Sequence, residues 1–284
     1  MKNLALADGA TLPKLGLGTW RLGESAGRRA AEVAAVRRAL ELGYRLIDTA
    51  EMYGEGGAEE IVGEALAGAI AEGIVRRADV FVVTKVYPHN ASRKGVVQAC
   101  DRSRKRLRLD GIDLYLLHWR GRHALADTVA GFETLRANRA IERWGVSNFD
   151  VDDLQELGRV PAGARCVANQ VYYSASQRGI EFDLLPWQRG HGIATMAYCP
   201  IDQGALAHAP EFARIAGTRG VTAAQLALAW VLRQEDVVAI PKAAREQHQR
   251  ENLAAAELAL SAADCEAIDR LFPPPRYKHP LAMT

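Results

Sequence analysis

Short apolar runs recur along this chain, and each ends in a polar residue that a core would not accept unpaired. They are Arg45-Leu46-Ile47-Asp48 (with Tyr53 a few residues on), Val80-Phe81-Val82-Val83-Thr84-Lys85, Ile112-Asp113-Leu114-Tyr115-Leu116-Leu117-His118 and Cys166-Val167-Ala168-Asn169-Gln170. Continuous apolar runs are the pattern of parallel strands covered on both faces, and a charge at the end marks where the strand emerges. Helical patterns separate the runs, so strands alternate with helices along the chain. With right-handed crossovers this predicts an α/β fold, a single (β/α)8 barrel. In such a barrel every strand end opens onto one rim, the C-terminal face where catalysis sits.

The segment 3–13 alternates around Asp8-Gly9, a hairpin signal, and is expected to cap the bottom of the barrel as part of a lid over 1–13. Strand-like segments follow at 15–17, 46–47, 80–84, 112–117, 142–146, 166–169, 192–197 and 237–240. Helical periods occupy 30–42 (ended by Gly43), 58–69, 93–107 (capped by Ser92), 125–136 and a stretch through Leu157 capped by Asp150 or Asp152. Further ones cover 180–189, 223–233 (capped by Thr222), 245–256 and 262–271. No composition break or internal repeat suggests a second domain, so residues 1–284 read as one barrel. Pro273-Pro274-Pro275 cannot continue a helix, and the tail 273–284 is expected near the barrel rim.

The 36 basic and 34 acidic residues nearly cancel, to a formal charge of +2, so nothing in the total argues for nucleic acid or a membrane surface. The one dense basic run, 102–108, falls on a helical pattern and reads as a solvated outer face. The 4 cysteines, Cys100, Cys166, Cys199 and Cys265, lie far apart, which argues against a zinc site and a disulfide framework. No apolar run approaches the ~20 residues that span a bilayer. Nor is there a signal-peptide pattern at the start, so a cytoplasmic location is the expectation.

Asp48, Tyr53, Lys85 and His118, gathered on one rim, would make a proton-handling site. Tyrosine is a poor acid in water, with a pKa of about 10. A neighbouring ammonium stabilises the phenolate, and a carboxylate holds the ammonium in place. A neutral imidazole can hydrogen-bond a carbonyl oxygen and orient it. Taken singly, Asp48 reads equally as a turn cap, Tyr53 as loop packing and His118 as a satisfied core histidine. Lys85 is harder to dismiss, because lysine at that depth is costly unless paired.

The motifs Leu15-Gly16-Leu17-Gly18-Thr19-Trp20, Asp48-Thr49-Ala50-Glu51-Met52-Tyr53-Gly54, Thr84-Lys85-Val86 and Leu117-His118-Trp119 resemble those of the aldo-keto reductases. So do Gly145-Val146-Ser147-Asn148-Phe149, Asn169-Gln170-Val171 and Ile240-Pro241-Lys242, in order over nearly the whole chain. The short bacterial members, including those acting on methylglyoxal and other small aldehydes, are the most similar. The resemblance implies hydride transfer from NADPH to a small carbonyl substrate, with Tyr53 as general acid, Asp48 and Lys85 tuning it and His118 orienting the carbonyl. It implies that Ser147, Asn148 and Gln170 hold the carboxamide, that Tyr198 stacks on the nicotinamide, and that Gly18 and Thr19 border the cofactor. The stretch with Cys199, Pro200, Gln203 and Gly204 corresponds to the loop along the pyrophosphate. Trp20, Tyr87 and Trp119 would line an aromatic substrate pocket suited to small or aryl aldehydes. A monomer is the family-based expectation.

At the adenosine end, Lys242, Ala243, Arg245, His248, Glu251 and Asn252 are the implied contacts. Ala243 stands where the family usually has Ser, and His248 where many NADPH-specific members have Arg. Arg is a permanently charged fork for phosphate and His is mostly neutral at pH 7, so NADPH is favoured but NADH use stays open. Short segments after His118 and after Tyr198 imply an open, broadly selective site, with Arg120 and Arg122 near its mouth either attracting acidic substrates or solvating the rim. Two other readings of the same residues are a Schiff-base lyase or aldolase using Lys85 and a non-catalytic nucleotide-binding module.

Overall fold

The computed structural model describes residues 2–284; the first residue of the expected 1–13 lid, Met1, lies outside them. Strands β1 (Asn3–Ala5) and β2 (Thr11–Pro13) form an antiparallel hairpin. The eight strands that follow are β3 (Leu17–Gly18), β4 (Leu46–Asp48), β5 (Phe81–Val86), β6 (Ile112–Leu117), β7 (Ile141–Ser147), β8 (Ala168–Tyr172), β9 (Ala194–Tyr198) and β10 (Val237–Ala239). Each is parallel to the next in sequence order. Parallel bridges Leu15↔Ala239 and Gly18↔Lys242 join the first to the last and close the barrel. Closure is tight at Gly18, where a Cβ would meet the Ile240 carbonyl oxygen at 2.6 Å.

Helices α1 (Arg29–Glu41), α2 (Gly57–Ala71), α3 (Arg93–Leu107), α4 (Leu125–Ala137), α5 (Val151–Arg159) and α6 (Leu184–Gly190) fill the crossovers. Ser92 caps α3 by accepting from the Gly95 amide, and Asp150, not Asp152, caps α5 in a reciprocal box with Asp153. The expected helix over 180–189 is split: a 3₁₀ turn at Gly179–Glu181 precedes α6. After β9 come two helices that the periodicity did not disclose, α7 (Ala205–His208) and α8 (Pro210–Thr218), the latter opened by a proline in its first turn. Then follow α9 (Ala223–Leu232), α10 (Glu246–Ala255) and α11 (Ala262–Leu271).

Two apolar assemblies result from the alternation of side chains along each strand. Outward residues such as Ile47, Val82, Tyr115, Leu117 and Val146 pack beneath the helices. Inward residues Leu46, Val83, Leu114, Leu116, Ala168, Met196 and Val238 fill the barrel, and Leu6 and Leu12 of the hairpin segment complete that interior from below. The bottom of the barrel is therefore sealed, and the next inward position on several strands is where the polar residues begin. No single helix among the described residues is long and apolar enough to cross a membrane.

Candidate active site

The polar rim follows from that same period of two. Asp48 lies two residues beyond Leu46, Lys85 beyond Val83, His118 beyond Leu116, Gln170 beyond Ala168 and Tyr198 beyond Met196. Strand register then sets neighbours: Gly18 pairs with Asp48, Lys85 with Leu116, Ser147 with Gln170, and Tyr172 with Tyr198. Gly18, Asp48, His118, Ser147, Gln170 and Tyr198 line a cavity of about 360 Å³ at the C-terminal face.

Lys85 is fully buried, and its ammonium donates to Asp48 Oδ2 at 2.8 Å, the Thr49 carbonyl at 2.9 Å and the Tyr53 hydroxyl at 3.1 Å. Gln170 Nε2 donates to the other Asp48 oxygen at 2.7 Å, and Thr19 Oγ1 to the Asp48 carbonyl at 2.9 Å. Burial alone would strip the Lys85 charge, but Asp48 and Tyr53 together hold its pKa above the ordinary lysine value. Burial raises the Tyr53 phenol, against the downward pull of Lys85 and with a push from Asp48, so the residue is a protonated donor at neutral pH. The ammonium thus acts as the sequence suggested, and burial outweighs it. His118 is held well below the ordinary imidazole value, first by burial and then by the Lys85 charge, so it is neutral. Its ring centroid lies 5.8 Å from that of Tyr53, edge to face, and its Nδ1 is buried without a hydrogen-bond partner among the described residues.

Tyr53 owes its aim to a turn of unusual backbone. Gly54, Glu55 and Gly56 have φ of 57°, 51° and 94°, and a Cβ on Gly56 would meet the Arg106 guanidinium at 2.6 Å. That Arg106 donates to the fully buried Glu59 at 2.6 Å, and Glu59 also accepts from Thr84, the neighbour of Lys85, at 2.6 Å. Glu51 ties the same turn to the loop after β5, accepting from the Tyr87 amide at 2.7 Å and Asn90 Nδ2 at 3.1 Å.

Tyr53, Asp48 and His118 line the cavity with Gly18, Trp20, Trp119, Ser147, Asn148, Gln170, Tyr198, Pro200, Gln203, Gly204 and Lys242. Lys85 and Thr19 sit beneath it. Tyr198 donates to Asn148 Oδ1 at 2.8 Å, and Ser147 Oγ donates to the Gln170 carbonyl at 2.8 Å. Tyr87 is not among the residues lining this cavity; its ring packs edge to face on that of Trp119 with centroids 5.9 Å apart, and its hydroxyl donates to Glu55 at 3.1 Å. Arg120 is committed to Asp153 at 3.1 Å and Glu156 at 2.7 Å, so it braces the rim, whereas Arg122 is exposed there. Of the residues expected at an adenosine end, Arg245 and His248 are exposed, Ala243 and Asn252 buried, and Glu251 half-buried and hydrogen-bonded by Gln247. Arg21, Met52, Met283 and Thr284 also line the cavity, and sequence reasoning did not single them out. Arg21 had a signal, its place directly after Trp20; the last two arrive only because the tail folds back over the rim.

A sealed parallel barrel with a phenol, ammonium, carboxylate and imidazole at its open end has the architecture of a carbonyl oxidoreductase. The Aldo/keto reductase family model matches residues 14–272, and the chain belongs to that family. It is 46% identical over 288 residues to methylglyoxal reductase YeaE of Escherichia coli (strain K12), covering 99% of each chain. To glyoxal reductase of Bacillus subtilis (strain 168) it is 35% identical over 266 residues, covering 94% of this chain and 91% of that protein. The crystal structure of a Klebsiella pneumoniae aldo-keto reductase in complex with NADPH superposes with a TM-score of 0.94 at 45% identity, over 100% of this chain and 99% of that one.

Proposed function

We propose that the protein reduces small and aromatic aldehydes and ketones to alcohols with NADPH, Tyr53 acting as general acid. The observation that carries this reading is the Lys85 ammonium held between Asp48 and the Tyr53 hydroxyl, two residues that line an aromatic-walled cavity under which Lys85 is buried. A nicotinamide nucleotide fits the donors present. Asn148, Ser147 and Gln170 line the cavity and offer a carboxamide both donors and acceptors. Tyr198 presents a ring beside them, and Lys242 brings a cation to the far wall. NADPH, when bound, supplies a hydride to the carbonyl carbon.

The protein's own groups handle everything else. His118, neutral and lining the cavity, keeps its proton best on Nε2, since an orphaned N–H at the buried Nδ1 is dearer than an orphaned lone pair. From Nε2 it donates to the carbonyl oxygen and orients it. Tyr53 delivers its proton to that oxygen as negative charge grows there, Lys85 stabilises the phenolate left behind, and Asp48 with Gln170 keeps Lys85 in place. The Schiff-base reading fits less well: Lys85 is charged, has all three protons engaged and does not line the cavity. Trp20 and Trp119 with few polar anchors suit methylglyoxal-sized and aryl carbonyls, and methylglyoxal is the substrate in the name of the Escherichia coli relative above. Four free cysteines agree with a reducing cytoplasm, and the protein is proposed to act there as a monomer.

The test follows loss of NADPH, and separately NADH, with methylglyoxal and an aryl aldehyde. Tyr53→Phe is expected to lower kcat by about 10²- to 10⁴-fold while NADPH affinity stays within twofold. Wild-type rates in the variant would remove Tyr53 from the role of acid. The ratio of the two cofactor curves reports whether exposed His248 and Arg245 suffice to prefer the phosphorylated cofactor.

A further inference from the structure

The loop after β9 is bent through conformations that its own sequence does not favour. Cys199, Asp202 and Gln203, none of them glycine, have φ of 49°, 51° and 52°. Such a backbone persists only where surrounding contacts over-determine it. Every residue of 199–204 except Asp202 lines the active-site cavity. Asp202 turns the other way, toward the end of β8 and the turn that follows it. One of its carboxylate oxygens accepts from the Tyr172 hydroxyl, and the other from Ser176 Oγ at 2.7 Å. Tyr172 is buried, and its ring lies 5.4 Å from that of Tyr198, the aromatic face in the cavity. Ser176 is in turn hydrogen-bonded to Ser174 at 3.1 Å. A single carboxylate therefore joins the cavity loop to a buried strand end and to the residue that packs behind Tyr198.

We propose that Asp202 is a positioning residue that locks the 199–204 loop in the shape that receives the diphosphate of NADPH. Through Tyr172 it also fixes the Tyr198 ring against which the nicotinamide lies. The proposal rests on the cofactor reading given above and deepens it. It also predicts an effect opposite to that of charge alone. A carboxylate next to a diphosphate site repels the ligand, so removing its charge without its hydrogen bonds being lost would tighten binding. Removing the anchor would loosen binding, because the strained loop would relax before the cofactor arrived and would have to be re-ordered on binding.

Equilibrium and stopped-flow quenching of protein fluorescence by NADPH separates the cases in wild type, Asp202→Ala, Asp202→Asn and Tyr172→Phe. Asp202→Ala is expected to weaken NADPH about tenfold, chiefly through faster dissociation, with the single-turnover hydride-transfer rate at saturating cofactor within threefold of wild type. Asp202→Asn removes the charge but retains an acceptor for Tyr172, and is expected to bind NADPH as tightly as wild type or up to about twofold tighter, never looser. Tyr172→Phe should loosen binding in the same direction, and Tyr172→Phe with Asp202→Ala should be no worse than Asp202→Ala alone, because both act through one contact. Unchanged or tighter binding in Asp202→Ala, with wild-type binding intact, would overturn the anchor and leave the reductase standing. A wild type that binds no NADPH would overturn the cofactor reading and the anchor together. Should Asp202→Ala fail to fold, Ser176→Ala and Tyr172→Phe carry the same test, and wild-type dissociation rates in both would sink it.

Discussion

His118 has no hydrogen-bond partner for Nδ1 among the described residues and is kept neutral by burial beside a fixed cation. The sign of its effect on stability follows directly. The unfolded chain takes up the imidazole proton as pH falls below its ordinary value of 6.5, and the folded chain does not until far lower. Unfolding is therefore favoured progressively below that pH, and the penalty is absent above it. Urea midpoints measured from pH 7.5 down to 5.5 are expected to fall less steeply in His118→Asn than in wild type; equal slopes would mean that the imidazole is charged in the fold. For the same reason kcat/KM should show no acid limb near 6.5. Lys85 is the converse case, a cation whose charge is kept by partners in spite of total burial. At this scale the sequence was readable where a residue type conflicted with its surroundings. An apolar strand ending in Lys85 demands a partner, and Asp48 and Tyr53 supply it. The partner of Tyr87 was not legible, because nothing in its own segment records that Glu55, from another loop, accepts from its hydroxyl.

Among the elements, α2, β5 and α3 meet at Glu59, which is wholly buried between Thr84 and Arg106. Burial raises its carboxyl, with Arg106 and the hydroxyls pulling the other way. Breaking such a pair from one side leaves a stranded charge, so Glu59→Ala is expected to cost about 3–5 kcal/mol in urea unfolding. Since Arg106 also packs on the turn that aims Tyr53, kcat should fall severalfold with NADPH affinity unchanged. A stability change below about 1 kcal/mol would show that Arg106 finds another partner or reaches water. The helices with caps and clear periods, such as α3 behind Ser92 and α9 behind Thr222, were legible. Those of α7 and α8 were not: α7 is a single turn, and α8 has short apolar spacing around Phe212 and Ala216 that gains meaning only when packed on α9 and α11. The fastening of the tail was not legible either: Lys278 bridges Asp150 at 3.1 Å and Asp183 at 3.0 Å, from two different crossovers.

For the whole molecule, the two ends of the barrel divide the labour. The hairpin end is closed by Leu6 and Leu12 on the inward residues of the strands, and the other end stays open for chemistry. Leu12→Ala, at a site with no exposure, is expected to cost about 2–5 kcal/mol in urea unfolding with kcat unchanged, since the cavity lies at the opposite face. A fall in kcat at saturating substrate would show instead that the plug sets the height of the strands. The alternation of apolar runs with helical periods, read from local pattern alone, determined the barrel class, because hydrophobic period and strand burial are properties of short segments. The same runs nominated Asp48, Lys85, His118 and Gln170, since each breaks its own segment's pattern. What tertiary structure decided was everything that depends on register and closure. It set which inward positions share a level, that Lys85 reaches both Asp48 and Tyr53, that Tyr172 meets Asp202, and that the tail ends over the cavity. Those contacts join residues far apart in the chain, and their energies exist only once the barrel has brought them together.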